Sequence, residues 1–165
     1  MRYQFMGFEV RDNVAWIRFN RPEAFNAINY QATNEFYDIV NRCSVDPSIR
    51  AVVLTGTGDR AFCAGGDVAE FVQRGDDVEL LLREMTTVLH TGISRLAWLR
   101  APVIAAVNGV AAGAGLSFAA AAISPLLRTR PDSPAPTRKS GSRRMAARRS
   151  FSPDCWAGAV SWSCT

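Results

Sequence analysis

Two short segments of this chain offer chemistry through the backbone rather than through side chains. Ala61-Phe62-Cys63-Ala64-Gly65-Gly66-Asp67 and Asn108-Gly109-Val110-Ala111-Ala112-Gly113-Ala114-Gly115 each follow an apolar strand-like run and lead into a helical pattern. Glycine and alanine let the main chain approach a ligand closely, and a helix that starts just beyond aims its free N–H groups outward. Two such N–H groups, held at one point, stabilise negative charge developing on a carbonyl oxygen. Either loop alone could simply be the glycine turn that ends a strand. A dinucleotide fold would require Gly-x-Gly-x-x-Gly with an acid about 20 residues later. Gly113-Ala114-Gly115 lacks the third glycine and no acid follows before Asp132, so a nicotinamide cofactor is not indicated.

Side-chain chemistry is sparse by comparison. His90, the only histidine, lies in a long helical pattern without a Cys or Ser partner in any motif, which reads as a surface or packing residue. Cys43, Cys63, Cys155 and Cys164 are far apart and have neither a CxxC nor a His-associated spacing, so no metal site is expected. Met1-Arg2-Tyr3-Gln4-Phe5 contains no apolar run ahead of a cleavage site, and a reducing cytoplasmic location is the expectation.

The elements that must carry the two loops follow from the hydrophobic pattern. Phe8-Glu9-Val10 and Val14-Ala15-Trp16-Ile17-Arg18-Phe19 flank Asp12-Asn13 as an antiparallel hairpin. Between Tyr30 and Cys43, the residues Ala32, Phe36, Ile39, Val40 and Cys43 fall on one face of an amphipathic helix. Ala51-Val52-Val53-Leu54 is a buried strand released by Thr55-Gly56-Thr57-Gly58. Asp67 and Glu70 mark a helix start, a longer helix carries Val78 through Leu96, and Pro102 closes it. Val103 to Val107 is a second buried strand, turned by Asn108-Gly109 into a small-residue helix from Gly113 to Ala122. No charge occurs from Ala101 to Leu127, so a membrane span must be weighed. Pro102, the Asn108-Gly109 break and the many alanines and glycines favour a buried strand and helix instead.

With a third segment, Phe19-Asn20-Arg21-Pro22-Glu23-Ala24-Phe25-Asn26-Ala27-Ile28-Asn29, the two loops form an ordered set. Over residues 1–122 this set resembles the enoyl-CoA hydratase/isomerase (crotonase) family. The resemblance implies an α/β fold, a crotonase-like spiral of ββα units, incomplete in this chain. It implies binding of an acyl-CoA thioester whose enolate-like oxyanion is held by the N–H groups of Ala64 and Ala114. Substrate contacts fall, by the same resemblance, on Ala24, Phe25, Ala27, Ala64, Gly65, Gly66, Asp67, Val68, Gly113 and Ala114. No metal or redox cofactor is implied, since coenzyme A enters as part of the substrate, and the family's assembly is a homotrimer or hexamer. Hydratases of the family carry a catalytic glutamate where this chain has Ser117. Serine, with a pKa far from neutral, cannot hold a hydrating water as a carboxylate base does. The implied chemistry is therefore isomerase-like more than hydratase-like. The family's second acid lies beyond this helix, and Asp132 sits in an unrelated Arg-Pro-Ser context.

Charge separates the chain into two parts. Residues 1–122 hold 11 arginines against 13 acidic residues, a balance of −2, whereas residues 123–165 hold 8 basic against 2 acidic residues, a balance of +6. The segment 128–149 is rich in Arg, Pro, Ser, Gly and Ala and reads as a disordered tail, the alternation of strand and helix ending at Ala122. Out-of-frame translation of a GC-rich gene would produce such an end. The alternative is an arginine-rich arm for nucleic acid or an anionic membrane, but no aromatic residue interleaves those arginines, so neither partner is favoured. In the truncated reading the chain is an inactive remnant with coenzyme A affinity at most.

Overall fold

A computed structural model of the chain describes residues 3–122 and the backbone of 124–127. It opens with the expected hairpin. Strands β1 (Met6–Arg11) and β2 (Val14–Phe19) pair antiparallel from Met6↔Phe19 to Arg11↔Val14. Asp12 and Asn13 have φ of 51° and 62°, the double left-handed turn whose twist matches that of the strands, and Asp and Asn tolerate it better than other non-glycine residues.

Every later strand of the main sheet is parallel to its neighbour. Strand β3 (Ala51–Gly56) lies on β2, β5 (Val103–Val107) on β3, and β7 (Ser124–Leu127) on β5, giving the order β1-β2-β3-β5-β7. Parallel neighbours require long crossovers, supplied here by helices. Helix α1 (Tyr30–Val45) joins β2 to β3; α2 (Val68–Arg74) and α3 (Val78–Ala97) precede β5; α4 (Ala114–Ala121) precedes β7. The region from Ala101 to Leu127 is thus strands and a short helix, and among the described residues no helix is long and apolar enough to cross a membrane.

Two strands are absent from the hydrophobic pattern. Strand β4 (Ala61–Cys63) and β6 (Val110–Ala111) form a separate two-stranded parallel sheet. At three and two residues they are too short to show a period, and they exist through pairing with each other. The alternation expected to stop at Ala122 also continues by one strand, β7. Pro125 disguised it, because proline reads as a breaker in so short a run.

The core sits where these layers meet. Buried Phe19 of β2, Phe36 of α1, Phe62 of β4 and Phe118 of α4 contact one another, with ring centroids 5.3 Å apart for Phe19–Phe62, 4.9 Å for Phe19–Phe118 and 4.8 Å for Phe36–Phe118. Tilted and edge-on pairs of this kind are favoured by the ring quadrupole. Phe62 precedes one glycine loop and Phe118 follows the other, so the same cluster anchors both.

Three of the hydrogen bonds that fasten the N-terminal edge end on one side chain. The Glu35 carboxylate accepts the N–H groups of Gln4, Phe5 and Met6 at 3.0, 2.8 and 2.9 Å. Glu35→Ala is expected to lower stability by about 1–3 kcal/mol, the cost of leaving such donors unpaired, read as a shift in the urea midpoint. Glu35→Gln, which keeps an acceptor oxygen, should lose less; an equal loss in both would deny the carboxyl this role.

Candidate active site

The small sheet brings the two glycine loops together. Cys63 is registered on Ala111, the Ala112 N–H donates to the Cys63 carbonyl at 3.0 Å, and the Val110 N–H donates to the Arg60 carbonyl at 3.1 Å. Both strands leave this sheet at the same end. Gly65 (φ +102°) and Gly113 (φ +51°) then run side by side, and a Cβ built on Gly65 would stand 3.1 Å from the Ala112 carbonyl oxygen and 3.5 Å from the Ala114 nitrogen. Left-handed backbone and close approach coincide here, which is the combination only glycine meets without strain.

Helix starts follow each loop at once. Asp67 caps α2, its Oδ1 accepting the N–H groups of Ala69 at 3.0 Å and Glu70 at 3.3 Å, whereas α4 starts behind Gly113 with no side-chain cap. Among the described residues the Ala114 N–H, at the first position of α4, has no acceptor. The Ala64 N–H differs: it donates to the Phe25 carbonyl at 3.1 Å. The two expected oxyanion donors are therefore neighbours, one open and one occupied.

The third segment reaches this pair through a distorted turn. Phe25 and Asn26 both lie in the left-handed region, with φ of 52° and 57°. Buried Asn26 holds the turn there. Its Nδ2 donates to the carbonyls of Thr57 (3.0 Å) and Ala61 (2.8 Å), and its Oδ1 accepts the Arg21 N–H (3.0 Å). Asn108 does the same from the other side, its Oδ1 accepting the Gly56 N–H at 3.0 Å and its Nδ2 donating to the Gly56 carbonyl at 2.9 Å. Of the expected contact residues, Phe25, Val68 and Gly113 are exposed, Ala24, Ala64, Gly66 and Ala114 are half-buried, and Ala27, Gly65 and Asp67 are buried. Ala27 is buried, and its backbone is engaged on both sides, the N–H donating to the Ala24 carbonyl at 3.0 Å and the carbonyl accepting from Arg21 Nη1 at 2.9 Å.

Sequence reading missed the residues that join these pieces. Arg21 forms an ion pair with Asp67 at 2.7 Å, the Ile28 N–H donates to the Gly65 carbonyl at 2.7 Å, and the Asp67 N–H donates to the Ile28 carbonyl at 2.9 Å. A polar residue flanked by small or apolar ones, as at Asn26 and Asn108, is a signal that could have found those two; Arg21, between Asn20 and Pro22-Glu23, carries none. Burial by itself would raise the Asp67 pKa, but hydrogen bonds from Arg21, Glu70 and Ala69 and the Arg21 charge outweigh it, leaving it below the ordinary value. A depressed folded-state pKa contributes stability above the unfolded-state value, lost as pH falls through the folded one. The urea midpoint should therefore drop on acidification below the usual carboxylate range, and Asp67→Asn should flatten that part of the profile; an unchanged profile would count against the pair.

Other titratable candidates do not gather here. Cys63 is buried beside the first loop, and burial pushes its thiol up to about 11, so it stays neutral and is no nucleophile at physiological pH. Ser117 is exposed on α4, and His90 is exposed on α3. Among the described residues no group of three His, Cys, Asp or Glu side chains could hold a metal. Asp132 lies outside the described residues.

The geometry is a pair of small-residue loops crossed by a pinned turn. The sequence profile of the enoyl-CoA hydratase/isomerase family matches residues 9–129. The chain belongs to that family. The crotonyl-CoA hydratase of Syntrophomonas wolfei is 35% identical over 119 residues, 72% of this chain and 45% of that protein. The (E)-benzylidenesuccinyl-CoA hydratase of Thauera aromatica is 36% identical over 115 residues, 68% of this chain and 43% of that protein. The crystal structure of enoyl-CoA hydratase from Bacillus anthracis superimposes with a TM-score of 0.68 at 30% identity, covering 74% of this chain and 46% of that one. This enoyl-CoA hydratase/isomerase family chain thus has the crotonase fold, and it spans less than half the length of these relatives. The expected limit of resemblance at residue 122 falls seven residues short of the family match, and the added stretch contains β7.

Proposed function

We propose that the chain binds an acyl-CoA thioester across the two loops and stabilises an enolate-like oxyanion with backbone N–H groups. The observation that carries this reading is the Ala114 N–H at the start of α4, beside Gly65 and against the first loop, an N–H with no acceptor among the described residues. A thioester oxygen placed there would accept the Ala114 N–H directly. The Ala64 N–H becomes the second donor once a shift of the Phe25 peptide releases it, and the energetic demand is modest, because one hydrogen bond is exchanged for another to a more negative oxygen. The coenzyme A part would run along the turn over exposed Phe25 and half-buried Ala24, with buried Ala27 beneath them.

The chemistry proposed is isomerase-like more than hydratase-like. By the family resemblance Ser117 takes the position of a hydratase glutamate, and α4 carries no carboxylate. An oxyanion hole without that base favours charge stabilisation at the thioester over activation of a water. Titration calorimetry with acetyl-CoA, followed by turnover assays with crotonyl-CoA and a 3-enoyl-CoA, tests this. Binding with conversion of the 3-enoyl substrate is the expected result. Hydration of crotonyl-CoA at a comparable rate would overturn the isomerase assignment, binding without turnover would identify a remnant with coenzyme A affinity, and no binding would remove the acyl-CoA reading.

A further inference from the structure

We propose that Arg21 and Asp67 are positioning residues, an ion pair that fixes the spacing between the segment bearing Ala24, Phe25 and Ala27 and the loop bearing Ala64 and Gly65. The inference rests on the acyl-CoA reading of those segments, because its consequence is that one ligand reaches both. A single nitrogen makes the link: Arg21 Nη1 contacts Asp67 Oδ2 at 2.7 Å and donates to the Ala27 carbonyl at 2.9 Å. Both side chains are mostly covered, at 15% and 11% exposure. The pair is flanked by further ties, since Ile28 bonds to Gly65, Asp67 bonds back to Ile28, and the Glu70 carboxylate accepts the Tyr30 N–H at 2.8 Å. The starts of α1 and α2 are thereby stitched to each other around the pair.

Stability alone is a poor reason for this arrangement. A covered ion pair costs desolvation that a neutral apolar pair would avoid. Among the described residues buried Arg21 Nε has no hydrogen-bond partner, so they leave the guanidinium not fully satisfied, and it rests against the Phe5 ring at 5.3 Å. What an apolar pair cannot supply is direction. The guanidinium fixes an angle and a distance between two backbone segments, and misplacing a ligand-contacting group by about 1 Å costs on the order of a hundredfold in a positioned reaction.

The test uses the full chain and two variants, Asp67→Asn and Arg21→Lys. Asp67→Asn keeps Oδ1 as acceptor for Ala69 and Glu70, so the cap of α2 survives while the ion pair is lost. Calorimetry compares acetyl-CoA, which on the acyl-CoA reading spans both segments, with adenosine 3′,5′-bisphosphate, which on that reading engages the Ala24–Ala27 side alone. The expected result for Asp67→Asn is acetyl-CoA affinity about tenfold to a hundredfold weaker, the bisphosphate nearly unchanged, and an intermediate loss in Arg21→Lys. Equal weakening of both ligands, in proportion to a fall in Tm, would overturn positioning and leave a structural role. Amide exchange of the ligand-free protein gives a reading independent of ligand. Ile28 and Asp67 should exchange faster in Asp67→Asn while Phe36 and Ile39 of α1 do not, and uniform or absent acceleration overturns the proposal. A wild-type chain that binds neither ligand would sink the acyl-CoA reading, while the exchange pattern would still decide whether the pair holds the two segments in register.

Discussion

Gly115→Ala should destabilise this protein although it replaces glycine with the best helix former. In an ordinary helix the change would add about 1 kcal/mol. Here α4 lies so close to β4 that a Cβ on Gly115 would overlap the Cys63 carbonyl oxygen and stand 2.8 Å from its carbonyl carbon. The obstacle is backbone, which cannot rotate aside as a side chain can. Either α4 or β4 must move, at about 1–3 kcal/mol for overpacking beyond the propensity gain it cancels. Displacement of α4 also carries the Ala114 N–H away from the first loop. Urea denaturation reads the stability, with Ala120→Gly, at an exposed position of the same helix, as the comparison. That variant should lose about 1 kcal/mol by propensity alone. A Gly115→Ala midpoint at or above the wild type would refute the close approach of α4 and β4.

Ala114→Pro should separate the candidate chemistry from the fold. Ala114 is the first residue of α4, where proline is tolerated because its missing N–H has no helical partner there. Gly113 precedes it at φ 51° and ψ −123°, away from the compact helical conformation that proline disfavours in its predecessor. The substitution therefore removes the open donor while leaving the helix start in place. If that N–H carries the oxyanion, loss of a single such donor costs on the order of a hundredfold to a thousandfold in rate, or about 3–4 kcal/mol at the transition state. Turnover of a 3-enoyl-CoA is the direct readout. The infrared stretch of a bound thioester carbonyl is a second, since a hydrogen bond lowers its frequency. Unchanged turnover and an unchanged carbonyl band, in a variant with native circular dichroism, would show that the donor lies elsewhere.

How far the sequence reveals this molecule depends on the range over which each signal acts. The β1–β2 hairpin is legible because Asp12-Asn13 supplies two left-handed residues between two short β-rich runs. Helix α1 is legible because Ala32, Phe36, Ile39, Val40 and Cys43 repeat at helical spacing, and all are buried. Strands β4 and β6 are not, since each exists through its partner across the small sheet. The same holds for Asn26 and Asn108, whose amide Nδ2 groups donate to the backbone of Gly56, Thr57 and Ala61, far from them in the chain. In the candidate site, loop composition indicates which residues approach a ligand but not which N–H is open. Ala64 and Ala114 look alike in sequence, and only the left-handed turn at Phe25 and Asn26 turns a carbonyl onto the first of them.

The strand order has a consequence for how such a sheet comes into being. Strands β1, β2, β3, β5 and β7 lie side by side in the order in which they are synthesised. The hairpin closes from local sequence and provides a template. The order allows each later strand to be added to an edge already in place, after its helical crossover, as the chain emerges from the N-terminus onward. Assembly is vectorial: no strand has to be inserted between two that are already paired. At each stage the newest strand is the growing edge, with unpaired backbone groups awaiting the next.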